Sequence, residues 1–433
     1  MKKDTKSQVV NTTTRSAFKS VKNISTLKCL ATILTAIILT VSTIATTNLV
    51  TFASVNTQVP TVATITAEAQ ATASYVLSAD ASDLSTLSTT SSFHNVSRDL
   101  ILATQSGLDT NSEIATYLNT VNSLLNSDGT LNLECSNGYI LVNYAELLDI
   151  LALAGYDATN YNGLNIVSVF NNAIKSVSST NLSDSSYLNP YLIGIIYATV
   201  ESYSDLLTDY SAIKENLVTA IKSITTTNGV TYYGNSADND GNVLPAFATL
   251  YDEDSEFANT IDSIVTIHQT TYYDSETGAV NAWGSLNPDS TALSLAFSAQ
   301  YADSTTAAAK YNALLSNFKS STTDGAYTYG GDDSIYSSRD ALIGLVTYLN
   351  TLKGLSNPFY VTPITSISTN TTADTVTNTS DNETDATITT TTVTETTDSL
   401  SSPKTADNSY VVFFFILMLA SVSTTTFAVK IRK

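Results

Sequence analysis

Six segments of the chain place apolar side chains at i, i+4, i+7, i+8 and i+11, the stripe that one face of an α-helix buries. Three are unbroken: Ile166, Phe170, Ala173, Ile174, Val177; Ile213, Leu217, Ala220, Ile221, Ile224; and Ala307, Tyr311, Leu314, Leu315, Phe318. Two carry one polar position each: Ile114, Leu118, Val121, Asn122, Leu125, and Phe257, Ile261, Ile264, Val265, His268. The first, Ile65, Ala69, Thr72, Ala73, Val76, is the weakest. Their starts fall 49, 52, 47, 44 and 50 residues apart, and that rhythm marks a repeated supersecondary unit.

Between the stripes lie segments that are apolar on most faces: residues 98–108, 139–155, 190–200, 242–251, 289–302 and 339–349. A helix apolar all round is buried on all sides. Alternation of six striped helices with six buried ones predicts an all-α fold over residues 62–356, a double ring of twelve helices whose buried set lines the centre. Gly194 and Gly344 stand where close backbone approach is wanted, and Asp289 or Ser290, just after Pro288, is expected to cap the helix that follows.

NPDSTALSLAFSAQYAD (287–303), DNDGNVLPAFATLYD (238–252), VNYAELLDILALAGYDATNYNGLNI (142–166) and SSRDALIGLVTYLNTLKG (337–354) resemble segments of bacterial surface proteins built on the terpenoid-cyclase and prenyltransferase toroid. The resemblance covers residues 64–354 and implies an (α/α)6 toroid, the architecture that the repeat count reaches independently. It rests on packing and capping positions rather than on catalytic ones.

The ends of the chain address it elsewhere. Seven basic residues up to Lys28 precede an apolar run at 30–45, which reads as a signal peptide over 1–53, followed by a short linker at 54–61. Residues 357–401, rich in Thr and Ser, lack the apolar content to offset their ordering entropy and are expected to form a disordered stalk. Residues 410–429 are uncharged, long enough for a transmembrane helix, and followed by Lys430, Arg432 and Lys433, which keep the tail cytoplasmic.

Just before that helix, SPKTA resembles the sorting motif of Gram-positive wall proteins. Pro403 and Thr405 match it, while Ala406 stands where the family has Gly and Ser402 where it most often has Leu. The resemblance implies cleavage by a sortase after Thr405 and attachment to peptidoglycan, within a sorting signal at 402–433. Retention by the membrane helix alone is the other reading. Either way the folded region is secreted and displayed on the cell surface.

Charge narrows the partners. The whole chain carries a formal charge of −20, and residues 54–405 hold 37 acidic against 9 basic side chains. Such a surface offers nothing to phosphate backbones, so nucleic-acid binding is excluded.

The loops leading into the buried helices are rich in aromatics. They suggest a rim of Tyr232, Tyr233, Tyr272, Tyr273, Trp283, Tyr327 and Tyr329 beside Asp238, Asp240, Asp332 and Asp333, facing an extracellular small molecule, glycan or protein. The same tyrosines could instead plug the end of the barrel. Terpene cyclisation is disfavoured, because the acid motif Asp-X-Asp-Asp is missing and there is one Trp. Zinc is disfavoured too, since Cys135, His94 and His268 come without an Asp-X-Cys. Around DNDGN, Ser236 and Phe247 occupy two positions where a calcium loop needs acids. No metal, cofactor or catalytic residue is therefore expected, and His268, on its packing stripe, reads as a core residue.

The expectation is a non-catalytic binding or adhesion module. The alternatives are a carbohydrate-active (α/α)6 enzyme using paired carboxylates, or a terpenoid-cyclase-like or prenyltransferase-like enzyme that has kept the fold without its recognised motifs.

Overall fold

The computed structural model describes residues 55–87, 89–133, 135, 138–225 and 233–365. The expected signal peptide, most of the stalk, the sorting residues Pro403, Thr405 and Ala406, the 410–429 helix and Tyr232 lie outside the described residues. Among the described residues, no helix is long and apolar enough to cross a membrane.

The protein is all-α, with two very short hairpins. The striped segments form α1 (Val62–Asp80), α3 (Asn111–Leu124), α5 (Ile166–Lys175) with the short α6 (Ser179–Leu182), α8 (Tyr210–Thr225), α11 (Ser255–Thr270) and α13 (Ser304–Phe318). The apolar segments form α2 (Thr90–Ser106), α4 (Tyr139–Leu153), α7 (Ile193–Ser202), α9 (Ala237–Val243) continued by α10 (Ala248–Glu253), α12 (Pro288–Tyr301) and α14 (Ile335–Leu352). Between α9 and α10 the helix tightens to a 3-10 turn, Leu244–Phe247, because Pro245 has no N–H to donate and its ring crowds the preceding turn.

Burial follows the sequence pattern. All five stripe positions of α1 and of α8 are buried, whereas the polar Asn122 of the α3 stripe is exposed. The second set is buried on nearly every face, as in Leu141–Ala152 of α4. Its members pack on one another in chain order: α2 on α4, α4 on α7, α7 on the 3-10 turn, α9 on α12, α12 on α14 and α14 back on α2. The striped helices lie against them, with α1 against α14 and α2, α5 against α4, α8 against α7, α11 against α10 and α12, and α13 against α12.

Glycines set the closest crossings. A Cβ on Gly194 would stand 3.0 Å from the Val243 carbonyl oxygen. One on Gly241 would overlap the Leu293 backbone, and one on Gly344 would overlap the Ala292 carbonyl. Gly241, part of the DNDGN run, therefore serves a helix crossing.

Two details differ from expectation. The cap of α12 is Asn287: its side chain accepts from the Ser290 N–H at 3.0 Å, and Pro288 is already the first helical residue. The extended Asn287 backbone takes the cap position, which leaves the Asp289 carboxyl for other contacts. The packed region also passes the boundary expected at Ser356. Asn357, Phe359 and Val361 are buried, and the Tyr360 hydroxyl donates to the Ala246 carbonyl at 2.7 Å. By itself, Asp274–Gly278 is a tight turn in which the Asp274 carboxylate accepts from the N–H groups of Glu276 and Thr277.

Polar contacts link each buried helix to the next. His94 on α2 meets Glu146 on α4 at 2.6 Å, and Asp149 on α4 faces the Thr199 hydroxyl on α7 at 3.4 Å. Tyr191, just before α7, donates to Asn239 on α9 at 2.6 Å. The Asp238 carboxyl of α9 lies beside Ser290 of α12, and Asp289 of α12 beside Ser337 of α14. Arg339 on α14 completes the set: its Nε donates to Asp99 on α2 at 2.7 Å, and its Nη2 pairs with Asp80 at the end of α1.

Removing one partner of a buried ion pair leaves an uncompensated charge and costs roughly 3 to 5 kcal/mol. Arg339→Met leaves Asp80 without a cation and Asp99 with Arg98 alone, so this variant is expected to melt about 10 °C below the wild type in a thermal scan.

Candidate ligand-binding site

The expected rim residues divide into two groups. Tyr233 and Tyr327 are buried, the latter donating through its hydroxyl to Glu68 Oε1 at 2.9 Å while Lys319 pairs with the other oxygen of the same carboxylate. Tyr272 and Tyr273 are half-buried. The Tyr272 hydroxyl donates to the Gly234 carbonyl at 3.1 Å, its own carbonyl accepts from the buried Lys310, and that ammonium sits 4.8 Å above the Tyr273 ring. These four tyrosines fasten loops to the helices beneath.

Trp283 and Tyr329 do the opposite. Strands β1 (Asn281–Ala282) and β2 (Ser285–Leu286) pair antiparallel around a two-residue turn, Trp283-Gly284, whose φ values are +59° and +84°. Strands β3 (Tyr327–Tyr329) and β4 (Asp332–Ser334) pair around Gly330-Gly331, also at positive φ. Both are the tight turns whose twist matches a hairpin, and they favour Asn or Gly because a Cβ is strained there. Trp283 holds such a position and is 89% exposed. Tyr329 is 54% exposed and Tyr336, at the start of α14, 72%. Asp332 and Asp333 are exposed between the two tyrosines, with the Thr323 hydroxyl holding the Asp333 carboxyl below its usual range.

A second feature, not foreseen from the sequence, is a cavity of about 230 Å³ at the N-terminal ends of the buried helices. Its polar lining comes from His94 and Arg98 on α2, Tyr139 on α4, Asn189 before α7, Asn242 on α9 and Asp340 on α14. Leu192, Ile195, Ile343 and Phe359 supply its apolar side. A signal for it existed: Ser-Arg-Asp occurs at 97–99, in the middle of α2, and again at 338–340, near the start of α14, and these two helices pack together. The larger cavity at the C-terminal ends of α10, α12 and α14, about 410 Å³, is less suited to a polar ligand. Two of its tyrosine hydroxyls are already engaged, Tyr251 to Asp262 and Tyr301 to the Leu244 carbonyl.

Burial shapes the electrostatics around the smaller cavity. It pushes the Glu146 carboxyl well above the usual range and His94 down to about 3, so the pair is neutral, with the acid donating to Nδ1. Asp340 is pushed up to about 8, by burial first and then by Asp289, while Arg98 opposes the shift. Asp80 is raised to about 7 by burial and by the charge of Asp99, with Arg339 opposing. Asp238 and Asp289 are raised by burial as well.

Asp240, His268 and Ser294 form a separate chain: His268 Nε2 lies 3.0 Å from Asp240 Oδ2 and Nδ1 lies 2.8 Å from Ser294 Oγ. The residue types are those of a hydrolase triad, but all three are fully buried and His268 stacks on Phe297 at 4.2 Å. The chain ties α9, α11 and α12 together and gives a substrate no access. Among the described residues, no group of His, Cys, Asp and Glu is arranged to hold a metal ion. No family model, curated protein or solved structure matches the chain.

The raised carboxyls make stability depend on pH. Unfolded, Asp ionises near pH 4; folded, Asp340 keeps its proton to about 8. Its contribution is complete below pH 4 and is lost as pH rises through the folded value. His94 and His268, whose folded values are lowered, act the other way, and only below pH 6.5. The melting temperature is therefore expected to fall steadily from pH 6.5 to 8.5, and Asp340→Asn should flatten that slope in a series of buffered thermal scans.

Proposed function

We propose that the chain is a surface-displayed (α/α)6 toroid that binds an extracellular partner without transforming it. In this reading the signal peptide exports it, the Thr-rich stalk lifts it from the membrane, and the sorting signal with Pro403, Thr405 and Ala406 makes it a sortase substrate joined to peptidoglycan. The toroid assignment is supported by the circuit of contacts from α2 through α14 and back to α2.

The observation that carries the binding role is Trp283. A left-handed backbone costs a bulky residue on the order of 1 to 3 kcal/mol, and an indole as exposed as that of Trp283 recovers little of it by packing. Selection for stability alone would put Asn or Gly there. Tyr329 on the other hairpin and Tyr336 at the head of α14 add exposed aromatic surface of the kind that sugars and proteins stack against.

Paired-carboxylate hydrolysis of a polysaccharide is the second reading, favoured by Asp238, Asp289 and Asp340, held toward their protonated forms on three successive buried helices. The two readings part on turnover: the binding module holds its glycan unchanged, whereas the hydrolase releases new reducing ends that disappear in Asp340→Asn.

Two outcomes test the main reading. Truncation before Ser402 is expected to move the protein from the cell fraction to the medium on an immunoblot; retention of the truncated form on cells rejects the anchor. Trp283→Ala is expected to weaken attachment of the displayed protein to its target surface by about tenfold, roughly 1.4 kcal/mol, while leaving its melting temperature equal or higher.

A further inference from the structure

We infer that the cavity between His94, Arg98, Asn189 and Asp340 is a second binding site, which takes one uncharged, polyhydroxylated molecule the size of a single sugar ring. The inference is independent of the hairpin tips, since it rests on hydrogen-bonding groups left over inside the fold.

Six polar residues of the lining, His94, Arg98, Tyr139, Asn189, Asn242 and Asp340, keep hydrogen-bonding capacity that the protein does not use. Arg98 donates through Nε to Asp99 at 3.3 Å, and its two terminal nitrogens have no partner among the described residues. Asn189 accepts from the Tyr191 N–H at 3.1 Å through Oδ1, which leaves its amide donors. Asn242 donates to the Asp238 carbonyl at 3.1 Å, which leaves Oδ1 as an acceptor. His94 spends Nδ1 on Glu146 at 2.6 Å, which leaves Nε2 for the cavity. The hydroxyl of Tyr139 and the carboxyl of Asp340 make no hydrogen bond within the described residues, although both line the cavity. Unmet donors and acceptors at a half-buried site cost free energy unless water or a ligand meets them.

Their balance identifies the ligand class. Two guanidiniums, Arg98 and Arg339, face two acids, Asp99, which both of them contact, and Asp80; the His94–Glu146 pair is neutral and Asp340 is held toward its protonated form, so the charges at this end are matched within the fold. The lining offers both donors and acceptors, which suits hydroxyl groups because each of them does both. Leu192, Ile195, Ile343 and Phe359 add apolar surface to the lining, which suits the C–H face of a sugar ring. About 230 Å³ holds one ring with its hydroxyls and falls below the 300 Å³ where sites for larger ligands begin.

The test is calorimetric titration of the full-length chain with D-glucose, D-galactose and N-acetyl-D-glucosamine, with L-leucine as a zwitterion of similar bulk. Saturable one-to-one binding of at least one sugar is expected, weakened by about tenfold or more in Asn242→Leu and Asp340→Leu and unchanged in the surface variant Thr116→Ala. Should either cavity variant fail to fold, Tyr139→Phe, which removes one hydroxyl only, takes its place. The inference is overturned by no saturable binding of any of the three sugars, by binding of L-leucine alone, or by sugar affinities that every folded cavity variant leaves unchanged.

Discussion

One guanidinium joins the last helix to the first two. Arg339 reaches from α14 to Asp99 on α2 and Asp80 on α1, and so connects parts of the chain separated by about 240 residues or more in sequence. Loop closure over such a length carries an entropic cost, and the apolar packing of α14 against α1 and α2 is non-directional. Arg suits the position because its rigid fork presents several donors in one plane and stays charged at every pH the protein meets. The other links around the buried helices are weaker copies of the same arrangement. They specify which helix stands beside which, while the apolar contacts supply most of the stabilisation.

That role explains a contradiction in the charge distribution. Residues 54–405 carry four acids for every base, yet several acids face inward. Their burial is tolerated because they are held neutral, or because a single cation serves two of them. Glu146 and Asp149 each leave one carboxyl oxygen without a hydrogen-bond partner, and Asn143 on the same helix leaves both its polar atoms so. The mostly apolar α4 thus carries three buried polar side chains, and its two acids are held toward their neutral forms by burial. The unneutralised acids crowd the outside, which keeps the surface soluble and hostile to anionic polymers.

The helical framework was legible in the sequence because it is written in apolar spacing, which burial reads directly. Stripe residues such as Ile65, Leu217 and Phe257 lie where the period puts them, and the helices apolar all round are the ones packed on both sides. The cap at Asn287 was misplaced by two or three residues because Asn, Asp and Ser all accept the same hydrogen bond, so composition alone does not rank them. Tyr327 and Trp283 looked alike as loop aromatics. What separates them is a partner distant in sequence, Glu68, which only the folded chain brings near one and not the other. The cavity was missed because its residues are single polar positions at the starts of segments recognised by their apolar bodies.

The glycine crossings set the calibre of that cavity. At Gly194, Gly241 and Gly344 the separation of neighbouring helices is fixed by main chain resting on main chain, with no side chain to shave. Trimming a lining residue would deepen the chamber locally without moving its walls. A descendant of this protein with a wider chamber would first have to thicken those contacts and push the buried helices apart, and every polar link between them would need a longer reach.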